Sequence, residues 1–140
     1  MVKVRFKKII PEAVIPTKAH PTDAGFDLVA VSKSISNEII SYGFGLAVEI
    51  PAGYVGLIFP RSSVYKKDLA LTNCVGVIDS SFRGEISAKF RIQFPNLWHY
   101  DVGDRIAQMI ILPYPEIDFV EVDELMPSDR GEGGYGSTGR

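Results

Sequence analysis

Asn73-Cys74-Val75-Gly76-Val77-Ile78-Asp79-Ser80-Ser81-Phe82-Arg83-Gly84-Glu85, continuing into Ile86-Ser87-Ala88-Lys89-Phe90-Arg91-Ile92, is the stretch on which the fold turns. Val75, Val77 and Ile78 are β-branched with Gly76 among them, which reads as a strand closely approached by another backbone. Glu85 to Ile92 reads as a second strand. Together they predict a β-hairpin with a carboxylate, Asp79, at its mouth and an aromatic, Phe82, three residues on. Taken alone, Asp79 before two serines is a turn former, because Asx side chains bond the backbone two residues on.

Working outward, the same short β-rich runs recur between Gly and Pro signals. Residues 38–50 and 53–60 read as two strands joined at Pro51-Ala52-Gly53, a Pro/Gly pair suited to a turn. Pro60-Arg61-Ser62-Ser63 follows, and a serine there can cap a short helix over residues 63–68. Nearer the N-terminus, Val2, Val4 and Phe6 alternate with Lys3, Arg5 and Lys7, the period of a half-buried strand. Pro11, Pro16 and Pro21 make residues 11–23 an extended loop. Strand character returns in Ala24-Gly25-Phe26-Asp27-Leu28-Val29-Ala30-Val31, with Asp27 inside an apolar run. A charge there has to be paired or face a site. Gly103-Asp104-Arg105-Ile106-Ala107-Gln108-Met109-Ile110-Ile111 is a turn entering a buried strand, with Gln108 as its polar exception, and Ile117 to Val122 reads as one more short strand. No segment sustains a 3.6-residue apolar period, so the pattern predicts an all-β barrel or double-sheet roll with one short helix. The domain spans residues 1–129. Residues 130–140 carry five glycines and almost nothing that could enter a core, and form a flexible C-terminal segment.

Composition narrows the function. A chain of 140 residues is one domain by length and long enough for an independent core. Its net charge of −2 leaves no basic excess to draw a nucleic acid backbone. Cys74 is the only cysteine, so no intrachain disulfide can form, and one Cys with two His provides no zinc constellation. No apolar run approaches the roughly 20 residues that span a bilayer, and the first residues lack a signal-peptide core. A cytoplasmic protein without nucleic acid or membrane partners is expected.

Four features are left over from folding: Asp27, the Arg61-Ser62-Ser63 cluster, Gln108 and the glycine-rich tail. Each has a bland reading, as a core ion pair, a surface charge beside a cap, a satisfied strand edge and a linker. Together they point to phosphate chemistry. Arg offers a rigid fork of donors for phosphate oxygens. Serine hydroxyls and a helix N-terminus add donors, and a glycine-rich segment can turn several N–H groups towards one anion. The tail adds Arg130, Ser137, Thr138 and an aromatic, Tyr135, able to stack on a flat ligand. No Gly-Lys-Ser/Thr follows a strand, so this is not a Walker loop.

Those residues carry a resemblance. The chain resembles the trimeric dUTP diphosphatase (dUTPase) family along nearly its whole length, with five motifs in order: Ala24 to Leu28, Pro60 to Ser63, Asn73 to Glu85, Gly103 to Gln108, and Arg130 to Gly139. The resemblance implies a distorted jelly-roll (β-clip) homotrimer with sites between subunits, closed by the tail of a further subunit. The implied reaction is Mg²⁺-dependent hydrolysis of dUTP to dUMP and pyrophosphate, with the metal held mainly by the phosphates and water. Asp79 matches the base that activates water for attack on the α-phosphorus. Arg61, Ser62 and Gln108 match phosphate-binding positions, with Ser62 near the α/β bridge and Ser63 in the same motif. Asp27 matches an acid that supports the metal through water and also supports the neighbouring arginine. Asn73 and the strand backbone at Gly76 and Ile78 would pair with uracil. Phe82 stands where the family usually has Tyr, keeping the ring under the deoxyribose without the phenol. Tyr135 stands where Phe is usual, and with Arg130, Gly136, Ser137 and Thr138 it would close over the ligand.

Two other readings share this fold. One is a dCTP deaminase, whose catalytic Glu lies ten residues after the Ile-Asp carboxylate. Lys89 occupies that position here, and the full glycine-rich tail is a dUTPase feature. The other is a non-catalytic nucleotide-binding or regulatory module, against which the intact Asp79, Arg61, Gln108 and Arg130 argue.

Overall fold

The computed structural model describes residues 1–94 and 98–139. Among the described residues, alternation of apolar and polar residues produces ten short strands: β1 (Arg5–Lys8), β2 (Phe26–Val29), β3 (Ser32–Ser36), β4 (Ile39–Gly43), β5 (Leu46–Glu49), β6 (Tyr54–Pro60), β7 (Leu69–Leu71), β8 (Gly76–Ile78), β9 (Ser87–Ile92) and β10 (Arg105–Pro113). They pair into a sheet β2-β10-β6-β8, a sheet β3-β4-β9-β7 and a ribbon β1-β5. The named pairings are all antiparallel.

The core is made by the inward faces of the two larger sheets. Leu28, Ile58, Ile106 and Met109 come from one, and Ile40, Tyr42, Leu69, Ala88 and Phe90 from the other. In β9 the alternation is complete: Ser87 and Lys89 are exposed while Ala88 and Phe90 are buried. Phe90 lies opposite Ile40, and Ala88 opposite Tyr42. Each large side chain of this set contributes about 1.5–3 kcal/mol by leaving water. Tyr42, Phe90 and Tyr100 meet edge to face, with ring centroids 5.8 to 6.3 Å apart.

Several expectations are corrected. Residues 76–78 and 87–92 do not form a hairpin. β8 pairs with β6 in one sheet, and β9 pairs with β4 and β7 in the other. The Asp79 turn is therefore a crossing between sheets, and the two strands flank a gap. Residues 38–50 make two strands in different sheets, because the chain bends at Gly45 with φ +65°. A Cβ there would meet Ile10 and Val31 side chains at 2.9 Å, so only glycine fits. The expected helix over 63–68 is a single 3₁₀ turn, Ser62–Lys66, with no side-chain cap. The N-terminal strand starts at Arg5, and Val2 and Phe6 stay about half exposed instead of entering the core. Ile117 to Val122 forms no strand, and residues 112–129 are exposed throughout. No helix is long and apolar enough to cross a membrane among the described residues.

Candidate active site

Asp27 sits on β2 with its side chain 14% exposed. Its Oδ1 accepts a hydrogen bond from Arg61 Nε at 2.9 Å, and its Oδ2 accepts one from Arg105 Nη1 at 3.3 Å. The charge inside the apolar run is thus paired, as its position demanded. The pairing depends on a bulge in β10 between Arg105 and Ala107, which buries Ile106 and Ala107 together and sets Gln108 opposite Asp27. Gln108 also lies opposite Phe59 of β6, and its Nε2 donates to the Pro60 carbonyl at 3.0 Å. That bond turns the side-chain oxygen towards Gly25, where an added Cβ would lie 2.4 Å from Oε1.

These residues line one cleft. Gly25, Asp27, Arg61, Ser62 and Gln108 border a cavity of about 310 Å³. Arg61 enters it from extended backbone just before the 3₁₀ turn, with one guanidinium nitrogen committed to Asp27. The arrangement is a forked donor held by a carboxylate, with a hydroxyl and an amide beside it, which suits an anion with several oxygens. Ser63 does not border the cleft. Sequence reasoning assigned no role to Arg105, the second partner of Asp27. Its signal was a second arginine in a Gly-Asp-Arg turn beside the strand that carries Gln108.

A second cavity, about 220 Å³, opens between the sheets where β8 and β9 part. Asn73, Gly76, Ile78 and Lys89 line it. Gly76 packs on β6, where a Cβ would meet Ile58 Cβ at 3.2 Å. Gly76 thus leaves the slot wall without a side chain at that point, beside Ile58, Leu71 and Ala88. The volume of the slot and its flat backbone edge suit a single-ring heterocycle.

Asp79 follows directly on β8 and is exposed, bordering a third cavity with Tyr54, Val55 and Tyr114. Its carbonyl accepts from Phe82 N–H at 3.0 Å, so the turn-forming role is real for the backbone. Its carboxylate makes no hydrogen bond or ion pair among the described residues. The turn is clamped from outside by Arg83, whose Nη1 donates to the carbonyls of Ser80 at 2.6 Å and Phe82 at 2.9 Å. Phe82 folds its ring over Gly84, where a Cβ would lie 2.7 Å from the ring tip. The sequence did not reveal that clamp, because Arg83 reads as an ordinary surface charge.

The Arg61 cleft and Asp79 lie at opposite ends of β6. Ile78 pairs with Gly56, while Arg61 follows Pro60 at the far end of the strand. Six residue steps from Val55 to Arg61 at strand rise span about 20 Å. One chain therefore brings Asp27, Arg61, Ser62 and Gln108 together in one cleft and Asn73, Gly76 and Ile78 together in the slot, and it holds Asp79 in a separate cavity at the far end of β6 from Arg61. Residues 130–139 stand apart from both. They form a run of tight turns, Arg130 Nε donates to the Gly133 carbonyl at 2.7 Å, and Tyr135 is fully exposed. The last residue of the expected lid, Arg140, lies outside the described residues.

Comparison with known proteins identifies relatives. A family model described as dUTPase matches residues 11–139. The chain is 39% identical over 140 residues to the deoxyuridine 5'-triphosphate nucleotidohydrolase of Nocardia farcinica, covering 97% of this chain and 85% of that one. It is 38% identical over 141 residues to the protein of the same description from Nautilia profundicola, covering 99% of each. The fold is similar to a Staphylococcus bacteriophage 80alpha dUTPase mutant solved with dUpNHpp, at a TM-score of 0.85 and 27% identity over 99% of both chains.

Proposed function

The chain belongs to the dUTPase family of nucleotide hydrolases, and we propose that it splits dUTP into dUMP and pyrophosphate at a site shared between subunits of a homotrimer. The observation that carries the reading is the uncommitted Asp79 carboxylate, one residue beyond the slot-lining strand β8, on a chain whose Arg61 lies about 20 Å from it along β6. A water held on Asp79 cannot reach a phosphorus held at Arg61 of the same chain over that distance. A slot from one subunit facing a cleft from another resolves it. An exposed apolar arm including Ile117, Phe119, Val120 and Leu125 supports assembly. So does a largely apolar groove of about 430 Å³ lined by residues such as Val4, Phe6 and Met109.

In this site uracil enters the slot edge-on. Asn73 and the backbone of Gly76 and Ile78 offer it donors and acceptors, and the close strands leave no room for a 5-methyl group. Phe82 lies under the sugar and discriminates by shape. Arg61, Ser62 and Gln108 hold the phosphate oxygens, so the α-phosphorus stays in line with a water on Asp79. Asp79 takes that water's proton as its oxygen attacks phosphorus, and the bond to the bridging oxygen breaks to release pyrophosphate. Positioning and charge stabilisation supply most of the acceleration of such a transfer, so an ordinary carboxylate suffices as base. Arg61 and Ser62 meet the charge that grows on the leaving group.

The described residues contain no cluster of three metal-ligating side chains. A Mg²⁺ ion would be bound chiefly by substrate phosphates and water, as that ion prefers. Mg²⁺ would neutralise charge on the triphosphate, and Asp27 would reach its shell through water while orienting Arg61. Residues 1–129 form the catalytic domain. Residues 130–140 act as a lid, with Arg130, Tyr135, Gly136, Ser137 and Thr138 folding over the nucleotide of another subunit. The reading places the protein in the cytoplasm, with Cys74 as a free thiol. The test is Asp79→Asn. Pyrophosphate release from dUTP should fall by several orders of magnitude while dUTP affinity stays near that of the parent, since a transition-state role is removed. Near-normal turnover would refute Asp79 as the base.

A further inference from the structure

The turn that carries Asp79 is a thin wall. Ser80 and Ser81 border the Asp79 cavity on one side and, on the other, a cavity of about 420 Å³ that Lys3, Arg5, Glu49 and Arg83 also line. No residue from Asp79 to Phe82 is buried, so core packing does not fix the shape of the turn. It closes on one backbone bond, from Phe82 N–H to the Asp79 carbonyl at 3.0 Å. The carbonyls of Ser80 and Phe82 are both taken by one nitrogen, Arg83 Nη1, at 2.6 and 2.9 Å. The second terminal nitrogen of that guanidinium, Nη2, lies 3.7 Å from Glu49 Oε1. Glu49 is on β5 and is held in turn by Arg5 Nη2 at 2.6 Å, its partner across the β1-β5 ribbon. The bond from Arg5 keeps the Glu49 carboxyl below the ordinary carboxylate range, so it stays an anion at neutral pH. A crossing between the two larger sheets is thus tied to the ribbon through one arginine.

We propose that Arg83 is a positioning residue for Asp79, with Glu49 as its anchor. The inference rests on the reading of Asp79 as the base. The Asp79 carboxylate has no partner among the described residues, so the backbone of the turn alone aims it. Exposed ion pairs of this kind add little to global stability. What the clamp fixes is local geometry, and a misplacement of about 1 Å costs roughly 100-fold in a reaction that depends on alignment. Contacts to the base and the phosphates come from other segments, the slot and the Arg61 cleft. Loss of the clamp therefore acts on the rate and not on affinity.

The experiment compares Arg83→Met, Arg83→Lys, Glu49→Gln and Asp79→Asn. It reads Tm, the Kd of dUpNHpp, and single-turnover release of pyrophosphate from dUTP with Mg²⁺. Arg83→Met keeps a long unbranched stem and removes every donor. Its single-turnover rate should fall about 10- to 100-fold, while Kd and Tm stay close to the parent's. Arg83→Lys should recover most of that rate, because one ammonium carries three donors and can serve both carbonyls. Glu49→Gln should slow the step by up to about fivefold, the contribution of one exposed ion pair. A parental rate in Arg83→Met overturns the proposal. So does a raised Kd at a parental rate, the mark of a cation that only attracts the triphosphate. A lysine variant as slow as the methionine one overturns it too. If Arg83→Met fails to fold, Glu49→Gln reads the same network from its anchor, and a parental rate there overturns the proposal. Loss of turnover in Asp79→Asn with a parental rate in Arg83→Met removes this inference alone. Near-normal turnover in Asp79→Asn removes the base reading and this inference with it.

Discussion

Gly25→Ala perturbs the phosphate cleft through a single methyl group. The backbone at Gly25 is not left-handed, so alanine can adopt it, and its Cβ would lie 2.4 Å from Gln108 Oε1 and 3.2 Å from Gln108 Cδ. Contact at 2.4 Å is untenable, but the obstacle is the end of a flexible side chain, so Gln108 swings away. It then loses its bond to the Pro60 carbonyl, now 3.0 Å, at a net cost of about 1 kcal/mol. Replacing glycine returns about 0.4–1 kcal/mol through the unfolded chain. The two nearly cancel, so Tm should move by no more than a few degrees. Activity should not be spared. A hydrogen bond from Gln108 to a charged phosphate contributes about 1.5–3 kcal/mol, so its loss lowers kcat/KM roughly 10- to 150-fold. Pyrophosphate release from dUTP, alongside thermal unfolding, measures both quantities on one preparation. Gln108→Ala should match the Gly25→Ala loss, and the double variant should be no worse than either. Parental kcat/KM in Gly25→Ala would refute the placement of Gln108 at the phosphates. Losses that multiply in the double variant would refute the steric route.

The other expected outcomes test different parts of the molecule. Phe82→Ala should narrow the preference for dUTP over UTP while Phe82→Tyr is tolerated; competition kinetics with both nucleotides measures this, and undiminished discrimination in the Ala variant contradicts a steric sugar guard. Deleting residues 130–140 should leave a folded oligomer by size-exclusion chromatography, since no residue of 130–139 is buried, and cut turnover by orders of magnitude through loss of the lid. Mixing tail-less subunits with Asp79→Asn subunits should then restore activity, because an intact Asp79 on the tail-less chain borrows a neighbour's tail; no recovery in mixed oligomers verified by mass contradicts a lid working in trans. Burial raises the Tyr42 phenol above its ordinary value, so the folded state keeps a proton that the unfolded chain gives up near pH 10. The unfolded state then binds fewer protons, and stability must fall as pH rises above about 10. Tyr42→Phe should flatten that fall in alkaline unfolding curves, although it lowers stability at neutral pH by removing the bond to the Tyr100 carbonyl.

Local chemistry is legible in the amino-acid chain itself. The short strands, the need of Asp27 for a partner and the order of the five motifs all follow from neighbours in sequence. Alternation, β-branching and a charge among apolar residues act over a few positions. Pairing is not legible in this way. Alternation in 76–78 and 87–92 says that each run needs a strand beside it, but not which one. The turn between them joins opposite sheets, so the expected hairpin became the two walls of a slot. The partner choice of Asp27 was equally hidden. Arg61 and Arg105 are 34 and 78 residues away, and a β-bulge fixes the register that brings Arg105 and Gln108 to it. The separation of Asp79 from Arg61 belongs to the tertiary structure too. It is set by the length of β6 between Gly56, where β8 pairs, and Pro60, where the phosphate segment begins. A sequence names the groups that chemistry needs. Only the rise of an extended strand fixes how far apart one chain must hold them, and here it keeps Asp79 and Arg61 about 20 Å apart along β6.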